Sequence, residues 1–218
     1  MKYNYNINIT IIIIIIMNSV EKMFIPIGTD CGIAAALNNY NLRLFSLPFD
    51  WVVTYNGVTD IIVNKFAGYL FPDKQSNISC HTKFVHNTFP NDYETMNRRI
   101  NRFMELLKKG RKELIFIRKG HYIHHHQEAE KNNCILKNDL QDSYDLDKHL
   151  KTTYPKLKFK IIVFLCCEKC FQYNEKISLG NLSIPSNIEI YNIAKKTTVI
   201  EKDDIFNNAM NEILKNNK

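Results

Sequence analysis

A thiol and an imidazole are the side chains of this sequence best suited to nucleophilic chemistry. Cys31 follows a short apolar run, Phe24-Ile25-Pro26-Ile27, that reads as a strand, and Gly28 breaks that run. Thr29 and Asp30 are residue types that cap helices, and Gly32-Ile33-Ala34-Ala35-Ala36-Leu37 reads as a helix that fades at Asn38-Asn39. The pattern predicts a strand, a tight turn and a helix, with the Cys31 thiol on the first helical turn. Unbonded helix N–H groups and the macrodipole favour an anion there, so they would stabilise a thiolate at Cys31. With a base in reach, such a thiol is a nucleophile. Two considerations run the other way. A small cysteine under a βα turn often only packs, and Asp30 opposes a thiolate if its carboxylate points the same way.

The candidate base is His86, on an alternating stretch from His81 to Phe89 that reads as a strand. Neutral imidazole near pH 7 suits proton abstraction from a thiol or a water. An isolated histidine is otherwise an ordinary surface or core residue. Asp50 lies between Phe49 and Trp51, where a carboxylate needs a partner, and Arg43 or a catalytic histidine would serve. The plainer reading of Asp50 is a loop aspartate that caps backbone. Arg118 closes the apolar strand Glu113 to Arg118. Ligands of open α/β sheets bind beyond the carboxyl ends of strands, so Arg118 is an anion-binding candidate, set against an arginine paired with a structural carboxylate.

Gly28-Thr29-Asp30-Cys31, then Ala35, Leu37, Leu42-Arg43 and the block Ser46-Leu47-Pro48-Phe49-Asp50-Trp51 resemble a family of papain-like cysteine peptidases. That family is a domain of unknown function, chiefly from bacteria and large DNA viruses, with Gly-x-x-Cys and Pro-Phe-Asp-Trp motifs. Its later Phe-x-His-Asp, Arg-rich helix and strand ending in Arg correspond to Phe84-Val85-His86-Asn87, Arg98 to Phe103 and Ile115-Phe116-Ile117-Arg118. Asn87 stands where the family prefers Asp. The resemblance implies Cys31 as nucleophile, His86 as base, Asn87 or Asp50 as its orienting group, and Thr29, Asp30, Arg43 and Arg118 beside the substrate.

The elements that must position these residues follow in order. Val58 to Phe66 reads as a short helix, and Tyr93 to Lys109 as a long one capped by Asn91 or Asp92 and ended by Gly110. Met96, Ile100, Phe103 and Leu107 form its apolar stripe. Arg98, Arg99 and Arg102 fall mostly off that stripe, on what is usually a solvated face. Ser143 to Tyr154 reads as a helix, Phe159 to Leu165 and Ile188 to Ile193 as strands, and Asp203 to Lys215 as a terminal amphipathic helix. Apolar strands alternating with amphipathic helices predict an α/β, Rossmann-like layered fold with a mostly parallel sheet flanked by helices. Papain itself joins a helical half to an antiparallel barrel-like half, and this pattern differs from it. The Gly28 turn lacks the further glycines and lysine of a phosphate loop.

Residues 1–22 read as an N-terminal extension, disordered or not translated, and residues 23–218 as a single α/β domain. The run Ile11 to Ile16 is far shorter than the roughly 20 residues of a membrane span, so no stable membrane insertion is expected. The net charge of +7 does not by itself indicate nucleic-acid binding, which is not expected here. Six cysteines at irregular positions in a chain of 218 residues read as reduced thiols of a cytoplasmic protein. Neither the Cys167/Cys170 pair nor the loop histidines His121 and His124 to His126 make a metal site by spacing, and no metal or cofactor is expected. Two functions follow, beside a third, a binding protein without catalysis that uses the basic face of the Arg98 to Arg102 helix. One is a cysteine-dependent hydrolase, a papain-like peptidase by resemblance, acting on a peptide or small-molecule substrate. The other is a non-peptidase α/β enzyme or ligand-binding domain that recognises an anionic small molecule such as a sugar or nucleotide, with Cys31 only packing.

Overall fold

The computed structural model describes residues 22–54, 57–70, 82–110, 112–119, 139–165, 184–192, 208 and 210–213. Four strands form one parallel sheet in the spatial order β1 (Lys22–Pro26), β4 (Glu113–Lys119), β5 (Lys158–Leu165), β6 (Ile188–Asn192). The helices are α1 (Gly32–Asn39), α2 (Thr59–Val63), α3 (Tyr93–Lys109) and α4 (Asp139–Thr153). The architecture is therefore an α/β fold with a mostly parallel sheet, as the alternation of apolar strands and amphipathic helices predicts.

Side-chain alternation makes the layers. Successive strand residues point to opposite faces, so a strand buried on both sides must be apolar throughout. Leu114, Phe116, Ile161 and Val163 enter one core, with Met96, Phe103 and Leu107 of α3 and Leu146 and Leu150 of α4. Their neighbours Ile115, Ile117, Ile162 and Phe164 enter a second core on the opposite face, with Ile33 and Leu37 of α1 and with Met210 and Ile213. Both faces are covered, which is the condition for a stable parallel sheet.

One expected strand belongs elsewhere. The His81 to Phe89 stretch contributes only β3 (Thr82–Phe84), which pairs antiparallel with β2 (Val52–Thr54) in a separate two-stranded sheet. Val52 lies opposite Phe84, so this small ribbon carries the chain from Trp51 back toward the main sheet. Helix α4 begins at Asp139, four residues before the predicted start at Ser143, because Asp139 and Asp142 in its first turn are drawn into the interior. Asp92 precedes α3, but its carboxylate accepts the Thr88 N–H at 2.7 Å and makes no bond to the helix. Among the described residues no helix is long and apolar enough to cross a membrane. All of the expected N-terminal extension but Lys22, which opens β1, lies outside the described residues, as do the histidine-rich loop after Lys119, Cys80, Cys134, Cys166 to Cys170 and most of the expected terminal helix.

Candidate functional site

The sequence candidates gather into two groups. The first is the turn between β1 and α1. Pairing of β1 with β4 continues past the strand: Ile27 N–H donates to Ile117 O at 2.9 Å, Lys119 N–H to Gly28 O at 2.9 Å, and Thr29 N–H to Lys119 O at 3.1 Å. The Thr29 hydroxyl also donates to Lys119 O, and Thr29 is fully buried. Gly28 has φ 88°, and a Cβ there would lie 2.9 Å from Arg118 Nη1 and collide with the Thr54 hydroxyl. Only glycine tolerates both that dihedral and that approach.

Cys31 then occupies the N-cap position of α1, half-buried and free of any disulfide. The Asp30 carboxylate accepts the Gly32 N–H at 2.7 Å, so an aspartate already takes up part of the helix N-terminus. Lys119 Nζ stands 3.7 Å from the other Asp30 oxygen. Burial pushes the Cys31 thiol above its ordinary range, and the Asp30 charge adds to this; its own backbone N–H and Lys119 pull the other way. Desolvation and the neighbouring carboxylate therefore outweigh the helix terminus, and the resting thiol is protonated at neutral pH.

Arg118 lies beneath this turn and not at an open strand end. It is fully buried and donates from Nε to Asp139 at 2.7 Å, and from Nη1 to Ile27 O at 2.8 Å and Thr54 Oγ1 at 3.0 Å. It is an arginine paired with a structural carboxylate, and it fastens the end of β1 to β2 and α4. Thr54 completes the fastening with its N–H on Thr29 O at 2.7 Å.

The second group surrounds the Pro-Phe-Asp-Trp block. Phe49 anchors it, with its ring 5.4 to 5.9 Å from those of Phe66, Phe103 and Tyr69. The adjacent Asp50 is fully buried and pairs with Arg43, whose Nε and Nη2 lie 2.8 and 2.7 Å from Oδ2. Burial raises the Asp50 carboxyl above the usual range, against the pull of Arg43. The Arg43 guanidinium lies 5.2 Å from the Trp51 ring centre, and the exposed His86 ring meets Trp51 edge-on at 6.0 Å. Asn87 is buried, and its Oδ1, like Asp50 Oδ1, has no hydrogen-bond partner among the described residues.

Arg43, Asp50, Trp51 and His86 are thus brought together, and Thr29, Asp30, Cys31 and Lys119 are brought together. Strand β2 joins the groups, with Trp51 about 10 Å along it from Thr54 at the usual rise per residue. Among the described residues no hydrogen bond joins Cys31 to His86. Sequence reasoning missed Lys119, which extends β4 past Arg118 and is the cation acting on the thiol; its place one residue beyond the strand-end arginine was the available signal.

No solved structure matches this chain. An uncharacterised protein of Acanthamoeba polyphaga mimivirus is 27% identical over 202 residues, covering 73% of this chain and 85% of its own length. Residues 22–95, which hold Cys31, Arg43, Asp50, Trp51, His86 and Asn87, match the family described as "putative papain-like cysteine peptidase", the family that the Gly-x-x-Cys and Pro-Phe-Asp-Trp motifs resemble.

Proposed function

We propose that this protein is a thiol-dependent hydrolase with Cys31 as nucleophile, acting on peptide or other acyl substrates. The observation that carries the reading is a half-buried, unpaired thiol at the N-cap of α1, at the carboxyl edge of a parallel sheet and inside the matched segment. Because the thiol is protonated at rest, the reaction needs a base before attack. His86 takes that role once its ring leaves Trp51, and its exposed position at the end of β3 leaves it room to turn. The base accepts the Cys31 proton, the sulfur attacks the acyl carbon, and the proton passes to the leaving group as the acyl-enzyme forms. Water then attacks the thioester, giving up a proton to the imidazole, and the acid and free thiol are released. Lys119, beside Asp30, favours negative charge on the sulfur. Asn87 or Asp50 orients the histidine, and Asp30 borders the substrate.

The test is alkylation of Cys31 by iodoacetamide in the intact chain and in His86→Ala. Histidine-assisted deprotonation gives a pH–rate profile that the variant does not reproduce. Identical profiles for both proteins would remove His86, and labelling no faster than in denatured chain would remove the nucleophile.

A second reading is recognition of an anionic small molecule such as a sugar phosphate or nucleotide. Arg43 acts electrostatically on Arg99, and Arg99 and Arg98 act on Arg102, a run of guanidinium charges that favours it. Thermal-shift measurements with phosphorylated metabolites test it, and stabilisation by none of them would discard it.

A further inference from the structure

Three arginines of α3 differ in what holds them. Arg98 is exposed and donates to Thr95 Oγ1 at 3.0 Å. Arg102 donates to the Ser46 carbonyl at 2.8 Å, and its guanidinium lies 4.9 Å from the Phe45 ring centre. Arg43 is fixed by Asp50 and by Ser46 Oγ at 2.7 Å. Arg99 has no such oxygen partner. It is half-buried, and among the described residues its one hydrogen bond runs to the Met96 thioether at 3.5 Å, a weak acceptor. A guanidinium carries five N–H donors in a planar fork, and partial burial withdraws water from them.

The local charge sharpens the point. Arg43 is the cation acting on Arg99, Arg98 and Arg99 are those acting on Arg102, and Asp50 and Asp92 are the carboxylates acting on Arg99. Asp50 is already engaged by Arg43, and Asp92 accepts the Thr88 N–H. In this set four guanidinium groups stand against two carboxylates. A half-buried fork whose donors meet no protein oxygen among the described residues, with more guanidinium groups than carboxylates around it, matches a dianionic tetrahedral oxyanion better than a monoanionic carboxylate.

We infer that the Arg99 guanidinium, flanked by Arg43, Arg98 and Arg102, is a receptor for a phosphate monoester group. This rests on the second reading above and gives it a place. The site is separate from the thiol turn: Arg43 N–H bonds to Leu37 O near the end of α1, whereas Cys31 opens that helix, about 9 Å away at the helical rise. A phosphorylated ligand bound here leaves the Cys31 turn clear.

The experiment titrates the full chain with inorganic phosphate at constant ionic strength, read by ³¹P line broadening and by thermal shift, with acetate as a parallel arm. Saturable binding of phosphate is expected, with acetate ineffective at the same concentration. Arg99→Gln is expected to abolish the response. Arg99→Lys keeps the charge without the fork and is expected to weaken it by roughly tenfold, while Lys109→Gln on the same helix leaves it unchanged. Arg99→Lys, the milder change, carries the test if Arg99→Gln does not fold. No saturable phosphate effect, an acetate effect equal to that of phosphate, or native binding by either Arg99 variant would overturn the assignment. Stabilisation by nucleotides or sugar phosphates that survives in both Arg99 variants would overturn this site while leaving the second reading intact; no response to any anion would overturn both.

Discussion

Arg118 Nε lies 2.7 Å from Asp139 Oδ1, and neither side chain has any solvent exposure. The pair joins the end of β4 to the first turn of α4, and the remaining Arg118 donors reach Ile27 O and Thr54 across the turn that carries Cys31. A buried ion pair adds little net stability over an apolar pair of the same shape, but breaking one half leaves a charge stranded. Asp139→Ala is therefore expected to cost about 3–5 kcal/mol in urea unfolding. The double variant Arg118→Met, Asp139→Leu is expected to recover much of that loss. A double variant as unstable as the single one would mean that the Arg118 bonds to Ile27 and Thr54, and not the stranded charge, dominate.

Asp50 and Arg43 make a comparable pair nearer the surface, with side-chain exposures of 0% and 15%. Arg43→Met leaves a buried carboxylate without its partner, and the Asp50 carboxyl, already raised by burial, rises further. The sign follows from proton binding. An acid whose folded pKa exceeds its unfolded value binds protons more tightly when folded, so stability falls as pH rises through that interval. Arg43→Met is expected to be about 3 kcal/mol less stable than the native chain at pH 7, with the gap narrowing by pH 5. Thermal melts of both proteins across that range provide the measurement, and a gap that is constant or widens toward acid contradicts the assignment.

Gly57 tests the other end of the α4 anchor. The Asp142 carboxylate accepts the Val58 N–H at 2.9 Å and the Thr59 N–H at 3.2 Å, and its backbone carbonyl accepts the Thr59 hydroxyl at 2.8 Å. A Cβ at Gly57 would run into that carboxyl group, and its φ of 72° strains any other residue. Gly57→Ala is expected to destabilise by about 2–4 kcal/mol through strain and lost N–H acceptors. A change below 1 kcal/mol in the same denaturation would show that α4 slides aside at little cost.

The layered fold was legible because strands buried on both faces cannot hide their apolar runs: Leu114 to Ile117 and Ile161 to Leu165 have few other places to go. Strand β2 was not legible, since Val52-Val53-Thr54 is too short to announce a period of two. The buried start of α4 was hidden for a different reason. Asp139 and Asp142 look like loop residues until Arg118 and the Val58 and Thr59 N–H groups are placed opposite them. Arg99 did leave a trace. It lies three residues after Met96 and four before Phe103, both buried, so helical geometry puts it at the edge of the apolar stripe. Reading Arg98, Arg99 and Arg102 as one solvated face overlooked that offset. The thiol turn was legible in its local geometry, but not in its charge. The residue types Thr29-Asp30-Cys31-Gly32 suggested a helix start, whereas the direction of the Asp30 carboxylate depends on the Gly32 N–H and Lys119.

That charge makes a prediction about the sulfur itself. Burial and Asp30 hold the Cys31 thiol above its ordinary value of 9.0, opposed by Lys119. Because the folded state keeps this proton more tightly than the unfolded chain, the thiol's contribution to stability declines as pH rises through the unfolded value. In Asp30→Asn the side-chain oxygen still accepts the Gly32 N–H, but its negative charge is gone, so the thiol ionises more readily. Cys31 alkylation at pH 8 is expected to be roughly threefold faster than in the native chain, and in Lys119→Met slower by a similar factor. Rates at saturating pH should converge in all three proteins, since the thiolate is then fully formed in each. If Asp30→Asn slows alkylation instead, the Asp30 carboxylate assists proton removal from the sulfur, and the base of the proposed hydrolase is Asp30 and not His86.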